Sequence, residues 1–527
     1  MVLEGKQLIG AQATASGKET FYSFFPALAQ KGDTPFYKAT GEEVNTAVEK
    51  AATAFAVYRK KTGMEKAHFL ERIAEEIKAL GDELIETCSR ETALPKARLE
   101  GERDRTVNQL KLMAALLREG SWAGARIDHA DLDRKPLPKP DLRQIQIPLG
   151  PVVVFSASNF PFAYSVAGGD TASALAAGCP VIVKGHEAHP ATSELTGKAV
   201  QKAAVESGMP DGVFSLLQGE GKTVGIQLVE HPLVKAVGFT GSFKGGKAIF
   251  DVAQRRPEPI PVYAEMGSTN PVFVLPRAAQ ERSETIAAGF AASVTLGVGQ
   301  FCTSPGLLFY KNGTPQFERQ LQEKFGGTTG GVMLTEYMRE AYNKSVSSRQ
   351  KIRGLHVLAK GGKVDAANAV DTVLFKTTMP VIRENMELAE ELFGPASMIV
   401  EATTKEELLE AARNLSGHLT ATVHGTPEDL AEYADLLEVL EQKAGRVVIN
   451  GFPTGVEVGH AIVHGGPFPA TTDSRSTSVG STAIYRFTRP VCYQNYPQEL
   501  LPPELKDENP LGIWRFVNGQ WKGGKGE

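Results

Sequence analysis

From Gly150 onward the sequence changes period, and that change restricts the fold more than any other feature. Val152-Val-Val-Phe155 is a short apolar run, Ala163 to Ala177 is an alanine- and glycine-rich helical stretch, and Pro180-Val-Ile-Val183 is apolar again. Strand, helix and strand at this spacing predict a parallel βαβ unit with a right-handed crossover. The alternation continues through a helix near 190–206, a strand over Val213–Leu217, a helix near 223–230, a strand over Ala236–Phe239 and a helix from 244. A doubly wound α/β domain satisfies this order, because strands buried on both faces read as unbroken apolar runs. A second α/β region runs from Val262 to about Gly445.

Ahead of the switch the period is helical. Val44, Ala47, Val48, Ala51 and Phe55, then Phe69, Ile73, Ile77 and Leu80, recur at three- and four-residue spacing, and a further helical block covers about Leu99–Leu117. The segment from Arg134 to Arg143 holds three prolines among charged residues and suits a surface excursion or exposed hairpin. The tail from Tyr485 carries Pro, Tyr and Trp and reads as an arm that packs on another body, such as a second subunit. At 527 residues, two or three domains are expected.

The net charge of -4 with dispersed basic residues gives no sign of a nucleic-acid or membrane-surface binder. The N-terminus has early charges and no apolar core, and no apolar stretch reaches the ~20 residues of a membrane span. The four cysteines (Cys88, Cys179, Cys302 and Cys492) have no paired spacing, which argues against a disulfide framework or a zinc site. A cytoplasmic protein is expected. No metal site is assigned: His186 and His189 stand close together without a third ligand.

Glycines cluster from Gly150 to Gly306 and from Gly445 to Gly466, where backbone turns sharply or approaches a ligand. Cys302 lies in the first cluster, on a glycine-bounded loop that a substrate can approach. Glu265 ends an apolar run, and Asn159 follows a central strand. In one cleft these three make chemical sense: a thiol nucleophile, a carboxylate that activates water, and an amide donor for an oxyanion beside the Cys302 backbone N–H. Each also has a plain reading, as a small buried thiol, an exposed strand-end acid and a turn former. On the cofactor side the GxGxxG fingerprint is absent. Thr240-Gly241-Ser242 instead ends a strand before a helix, a junction that suits a phosphate. Lys184 ends another strand with Glu187 nearby, a pair that suits ribose hydroxyls.

In order along the chain, these residues resemble the aldehyde dehydrogenase superfamily. Ser158-Asn-Phe-Pro161 stands where the family has Trp-Asn-Phe-Pro, and Lys184-Gly-His-Glu187 where it has Lys-Pro-Ser-Glu. Gly221-Lys-Thr-Val-Gly225 and Phe239-Thr-Gly-Ser242 resemble its two cofactor-side glycine motifs. Glu265-Met-Gly-Ser-Thr-Asn-Pro271 resembles Glu-Leu-Gly-Gly-Lys-x-Pro, with Ser268-Thr269 replacing the usual Gly-Lys. Gly299-Gln-Phe-Cys302 resembles the catalytic loop, and Glu391-Leu-Phe-Gly-Pro395 the segment that cradles the nicotinamide ribose.

The resemblance implies a Rossmann-type cofactor domain (1–133 and 149–261), an α/β catalytic domain (262–447) and a small oligomerisation arm (134–148 and 475–527). It implies Cys302, Glu265 and Asn159 as catalytic residues. Lys184, Glu187, Gly225, Thr240, Gly241, Ser242, Glu391 and Phe393 are the implied cofactor residues. Phe160 and Phe162 are expected at the substrate, with Arg103 and Arg105 as candidate cations for a substrate carboxylate. A homodimer or homotetramer is expected.

Gly101–Leu110, Ala167–Ala174, Lys184–Pro190 and Gln300–Gly306 further resemble the 2,5-dioxovalerate (α-ketoglutaric semialdehyde) dehydrogenases. Fatty aldehyde dehydrogenases share some of these runs and stand as the alternative, and a catalytically silent protein of the same fold as a second. The subgroup resemblance favours NADP. Glu187, aimed at an adenosine ribose, would repel a 2′-phosphate and favours NAD.

Overall fold

The computed structural model describes residues 2–524. The last three residues of the expected C-terminal arm lie outside them. Two seven-stranded sheets dominate the architecture. The first runs in the order Val262–Glu265, Ala236–Thr240, Val152–Phe155, Val181–Lys184, Phe214–Leu217, Gln7–Ile9, Gln12–Thr14. Its first five strands are parallel, and the two N-terminal strands add antiparallel at the edge. Every residue of the four strands between Val152 and Thr240 is buried, which accounts for their unbroken apolar character. Val152–Phe155 is the strand from which the chain winds first one way and then the other. The carboxyl ends beside it therefore flank the crevice where such sheets take ligands.

Three helices, Gly41–Tyr58, Gly63–Ala79 and Gly81–Thr92, replace the amphipathic block predicted over 43–90, and Lys96–Glu119 follows. Val44, Ala47, Val48 and Ala51 are buried, as the period predicts. Thr40 and Glu43 form a reciprocal capping box that starts the first helix. The helix expected from Ala163 begins instead at Gly169 and ends at Gly178, whose φ of 98° suits glycine alone. Residues 163–168 are held in turns, with the Gly169 N–H bonded back to the Ala163 carbonyl. The helix expected near 223–230 splits into a π-turn, Gly221–Gly225, and a short α-helix, Ile226–Glu230.

The second sheet runs in the order His356–Lys360, Val373–Thr378, Ala396–Ala402, Leu307–Lys311, Val272–Val274, His418–His424, Ala444–Ile449. All its pairs are parallel except the first. Val262–Glu265, placed by sequence at the start of the second region, is the edge strand of the first sheet and pairs with Ala236–Thr240. An apolar strand has the same composition in either sheet, so only the pairing reveals the boundary. After six intervening residues the chain enters Val272–Val274, which brings the carboxyl edge of the first sheet to the amino edge of the second.

A five-stranded sheet forms the arm, in the order Thr488–Gln494, Leu142–Pro148, Arg126–Asp128, Arg515–Val517, Gln520–Lys522. It has its own small core, which includes Ile127, Ile145, Leu505 and Val517. The arm thus includes Arg126–Asp128, ahead of the segment predicted for it. No described helix is long and apolar enough to cross a membrane.

Candidate active site

Cys302 sits on the loop leading into Leu307–Lys311, at the amino edge of the second sheet. The helix Ser283–Thr295 is followed by a turn in which Gly297, Val298 and Gly299 all have positive φ (56°, 59° and 65°). Val298 in that region is strained, and such strain persists only where surrounding structure enforces it. A Cβ at Gly299 would lie 2.2 Å from the Gly394 carbonyl oxygen, so glycine is required there for the loop to close on Glu391–Pro395. The Cys302 carbonyl accepts a bond from Asn270 Nδ2 at 2.8 Å, and the same amide reaches the Ser304 carbonyl at 2.9 Å. Asn270 Oδ1 in turn accepts from the hydroxyls of Ser268 and Thr420. The Ser268-Thr269-Asn270 run therefore braces the cysteine loop from below.

Glu265, the last residue of its strand, is 3% exposed. Its Oε2 accepts from Ser478 Oγ at 2.9 Å and lies 3.0 Å from His464 Nε2. The same His464 nitrogen is 3.6 Å from Cys302 Sγ. Oε1 of Glu265 is buried with no hydrogen-bond partner among the described residues. Burial alone would raise the Glu265 pKa, but the His464 ring and bonds from His464, Ser478 and Cys302 outweigh it and hold the carboxyl below its usual range. Burial and the Glu265 carboxylate, with a further contribution from Glu391, push the Cys302 thiol well above its ordinary value, and Arg105 opposes them only in part. The resting pair is thus a carboxylate beside a protonated thiol.

His464 was not singled out from the sequence. Its signal is its position inside the second glycine cluster, in Ile462-Val-His-Gly-Gly466. Its backbone N–H donates to Thr477 Oγ1 at 2.8 Å, and its ring lies against Tyr164.

Asn159 follows Val152–Phe155 at the carboxyl edge of the first sheet. Its carbonyl accepts from Arg98 Nη2 at 2.8 Å, and its Nδ2 donates one hydrogen to the Gln300 carbonyl at 3.0 Å, two residues before Cys302. Glu102 Oε1 accepts the N–H groups of Phe162 and Ala163. The helix Lys96–Glu119 therefore holds the Asn159 loop from one face.

A cavity of about 200 Å³ is lined by Cys302 together with Arg98, Arg105, Phe160, Tyr164 and Phe301. Phe160 stands edge-on to both Tyr164 and Phe301, as expected of a wall residue. Phe162 is 1% exposed and belongs to the core of the first domain, which corrects its assignment to substrate. Arg103 is also corrected. Arg98, Glu102 and Arg105 recur at helical spacing on the cavity face, whereas Arg103 falls out of phase and lies beside Asp104. Arg105 donates to Tyr164 Oη and the Val456 carbonyl, both at 3.1 Å. Arg446 was likewise not anticipated: its Nη2 donates to the carbonyls of Pro453 and Gly455 and holds the opposite wall.

The cofactor candidates gather along the first sheet's carboxyl edge. Lys184 is 4% exposed, with Nζ 3.1 Å from Glu187 Oε1, and Glu187 also accepts the Gly221 N–H. Burial pulls the Lys184 ammonium below its usual pKa, against the pull of Glu187. Thr240 ends its strand, Gly241 follows, and Ser242 caps the helix Phe243–Gln254 by accepting the Gly245 N–H. A Cβ at Gly225 would lie 2.6 Å from the Phe155 ring, so this glycine lets the π-turn press onto the central strand. Glu391 and Phe393 share a narrow cleft with Ser268, Gly299 and Phe301, beside the cysteine loop. A lysine–glutamate pair for ribose hydroxyls and a capped helix N-terminus for a phosphate form a donor and acceptor set that fits a dinucleotide. His186 and His189 have stacked rings, and both nitrogens of His189 are engaged by Ala157 and Ser193.

A family model described as the aldehyde dehydrogenase family matches residues 13–469. The chain is 49% identical over 523 residues to alpha-ketoglutaric semialdehyde dehydrogenase 2 of Azospirillum brasilense, covering 99% of this chain and 100% of that protein. It is 47% identical over 519 residues to the alpha-ketoglutaric semialdehyde dehydrogenase of Acinetobacter baylyi, covering 98% of each. Among solved structures, lactaldehyde dehydrogenase from Escherichia coli superposes with a TM-score of 0.80 at 22% identity, over 93% of this chain and 98% of that one. By its sequence over nearly its whole length, and by a fold that sets a cysteine loop against a dinucleotide-type sheet edge, this chain belongs to the aldehyde dehydrogenase family.

Proposed function

We propose that the chain oxidises 2,5-dioxopentanoate to 2-oxoglutarate with NAD or NADP. The observation that carries this reading is the cavity itself, lined by Cys302 together with Arg98 and Arg105. It suits a short substrate with an aldehyde at one end and a carboxylate at the other, since guanidinium holds a carboxylate bidentately. The names of the near full-length relatives point the same way.

In this mechanism the Cys302 sulfur attacks the aldehyde carbon while its proton passes toward the Glu265–His464 pair, within reach at 3.6 Å. The Asn159 amide and the Cys302 N–H hold the oxyanion that forms. A nicotinamide held beside Glu391 and Phe393 would supply the hydride acceptor needed to convert the Cys302 adduct to a thioester. The Glu265 carboxylate, with Oε1 free of partners, then takes a proton from water, and the hydroxide releases the acid. Lys184 and Glu187 would hold the adenosine ribose of the dinucleotide. NADP requires the Glu187 carboxylate to leave room for a 2′-phosphate, whereas NAD uses it as it stands. The exposed edge strand Thr488–Gln494 offers unpaired backbone to a second copy, which supports a homo-oligomer.

A steady-state panel tests the proposal, with 2,5-dioxopentanoate, succinic semialdehyde and a long-chain aliphatic aldehyde each assayed with NAD and with NADP. The expected result is the highest kcat/KM for 2,5-dioxopentanoate. Preference for the aliphatic aldehyde would overturn the substrate assignment and support the fatty aldehyde reading.

A further inference from the structure

The catalytic cluster has a property that aldehyde oxidation does not use. Among the described residues, Glu265, Cys302 and His464 form a group of three metal-ligating side chains whose ligand atoms all lie within 4.8 Å of one another. We propose that these three residues also form a binding site for Zn²⁺, through which zinc reversibly closes the active centre.

Two of the three ligand separations already suit the ion. Tetrahedral zinc with Zn–S of about 2.3 Å and Zn–N of about 2.05 Å separates the two ligand atoms by about 3.5 Å. Cys302 Sγ and His464 Nε2 stand 3.6 Å apart. A zinc-bound nitrogen and carboxylate oxygen are separated by about 3.3 Å, against 3.0 Å between His464 Nε2 and Glu265 Oε2. A second, independent observation is the buried Oε1 of Glu265, which has no hydrogen-bond partner among the described residues: with Oε2 on the ion, Oε1 can complete a bidentate carboxylate or accept from a zinc-bound water. Ser478 Oγ fixes the other oxygen, and Thr477 anchors the His464 backbone, the kind of outer support that orients metal ligands.

The charges also balance. Zinc displaces the thiol proton to solvent, and thiolate plus carboxylate neutralise the dication with the imidazole neutral. No electron moves. A water would fill the fourth position. Arg105, which interacts electrostatically with Cys302, adds a positive charge that keeps the site weaker than a closed four-ligand structural site. With its sulfur on zinc, Cys302 cannot attack an aldehyde, so inhibition is competitive with substrate and reversed by a chelator.

The test reads metal directly, in the full chain and without substrate, so its failure and that of the dehydrogenase assignment are separable. Equilibrium dialysis against Zn²⁺ should show one ion per chain in the wild type and in Cys492→Ser. Binding should weaken at least about 100-fold in Cys302→Ser, and about 10- to 100-fold in Ser478→Ala. Co²⁺ as a probe should give a thiolate-to-cobalt charge-transfer band in the wild type that Cys302→Ser lacks. In the wild type alone, Zn²⁺ should protect Cys302 from iodoacetamide, mapped by peptide mass spectrometry, with protection lost on adding EDTA. Unchanged alkylation of Cys302 at saturating zinc, zinc carried only by Cys492, or undiminished binding in Cys302→Ser would overturn the proposal.

Discussion

Replacing Glu265 with glutamine should make Cys302 more acidic while making the enzyme slower. The Glu265 carboxylate lies within 4.8 Å of the sulfur. At that distance and an effective dielectric constant near 20, its repulsion of a thiolate is about 3 kcal/mol. Neutralising it removes that repulsion and lowers the thiol pKa. Burial, the larger cause of the upward shift, remains in the variant, so the thiol falls only part of the way back.

The assay is the rate of alkylation by iodoacetamide, a neutral reagent, as a function of pH. The wild-type rate should still be rising at the top of the accessible range, and the inflection in Glu265→Gln should move to lower pH. Lower thiol pKa also means weaker nucleophilicity, with a Brønsted slope of about 0.4–0.5, so the gain at neutral pH is nearer tenfold than a hundredfold. With aldehyde substrate the same variant should lose about 10²- to 10⁴-fold in kcat, because the thioester loses its water-activating base. Acyl-enzyme should then accumulate as a burst. An inflection that stays put or moves up would refute the electrostatic argument and leave burial as the only cause of the thiol's shift.

Asn159→Ala should cut kcat/KM by about 10²- to 10³-fold, the cost of one oxyanion donor, with the dissociation constant for the dinucleotide unchanged by titration calorimetry. Asn270→Ala removes the bonds to the Cys302 and Ser304 carbonyls and puts alanine at φ 46°. It should destabilise the protein by about 2–4 kcal/mol, read as a lower midpoint in urea unfolding. Arg105→Ala should raise KM for 2,5-dioxopentanoate at least tenfold relative to an aliphatic aldehyde, whereas Arg103→Ala, outside the cavity, should leave that ratio unchanged.

What could be read from the sequence follows from which interactions are local. The strands Val152–Phe155, Val181–Lys184 and Ala236–Thr240 announce themselves because burial on both faces leaves no polar position. Asn159, Glu265 and Cys302 are legible because each closes or precedes such a strand within a recognisable run. Helical phase separates Arg105 from Arg103, and a turn separates Phe160 from Phe162, yet neither phase nor turn is fixed until the loop is built. His464 lies in an irregular stretch with no period to read, and only long-range bonds to Thr477 and Glu265 give it a place. The arm is opaque for the same reason, since Leu142–Pro148 finds its partner in Thr488–Gln494, near the far end of the chain.

The connection from Glu265 to Asn270 carries the deepest consequence of the topology. Glu265 ends a strand of the first sheet, and Asn270, just before the second, holds the Cys302 carbonyl. The base and the brace of the nucleophile loop are thus tied by a handful of residues. That run is itself fixed by the Ser268 hydroxyl, which accepts the Leu419 N–H and donates to Asn270 Oδ1. The base-to-sulfur geometry can therefore stay constant even where the sheets shift slightly against each other. The oxyanion donor has no such tether. Asn159 rides on the first sheet and reaches the cysteine loop through a side-chain bond to Gln300 and through the Phe160 ring packed on Phe301, backed by Arg98. Oxyanion stabilisation, the proposed task of Asn159, should be the part of the cycle sensitive to distant packing changes, and proton transfer at Glu265 the part that resists them.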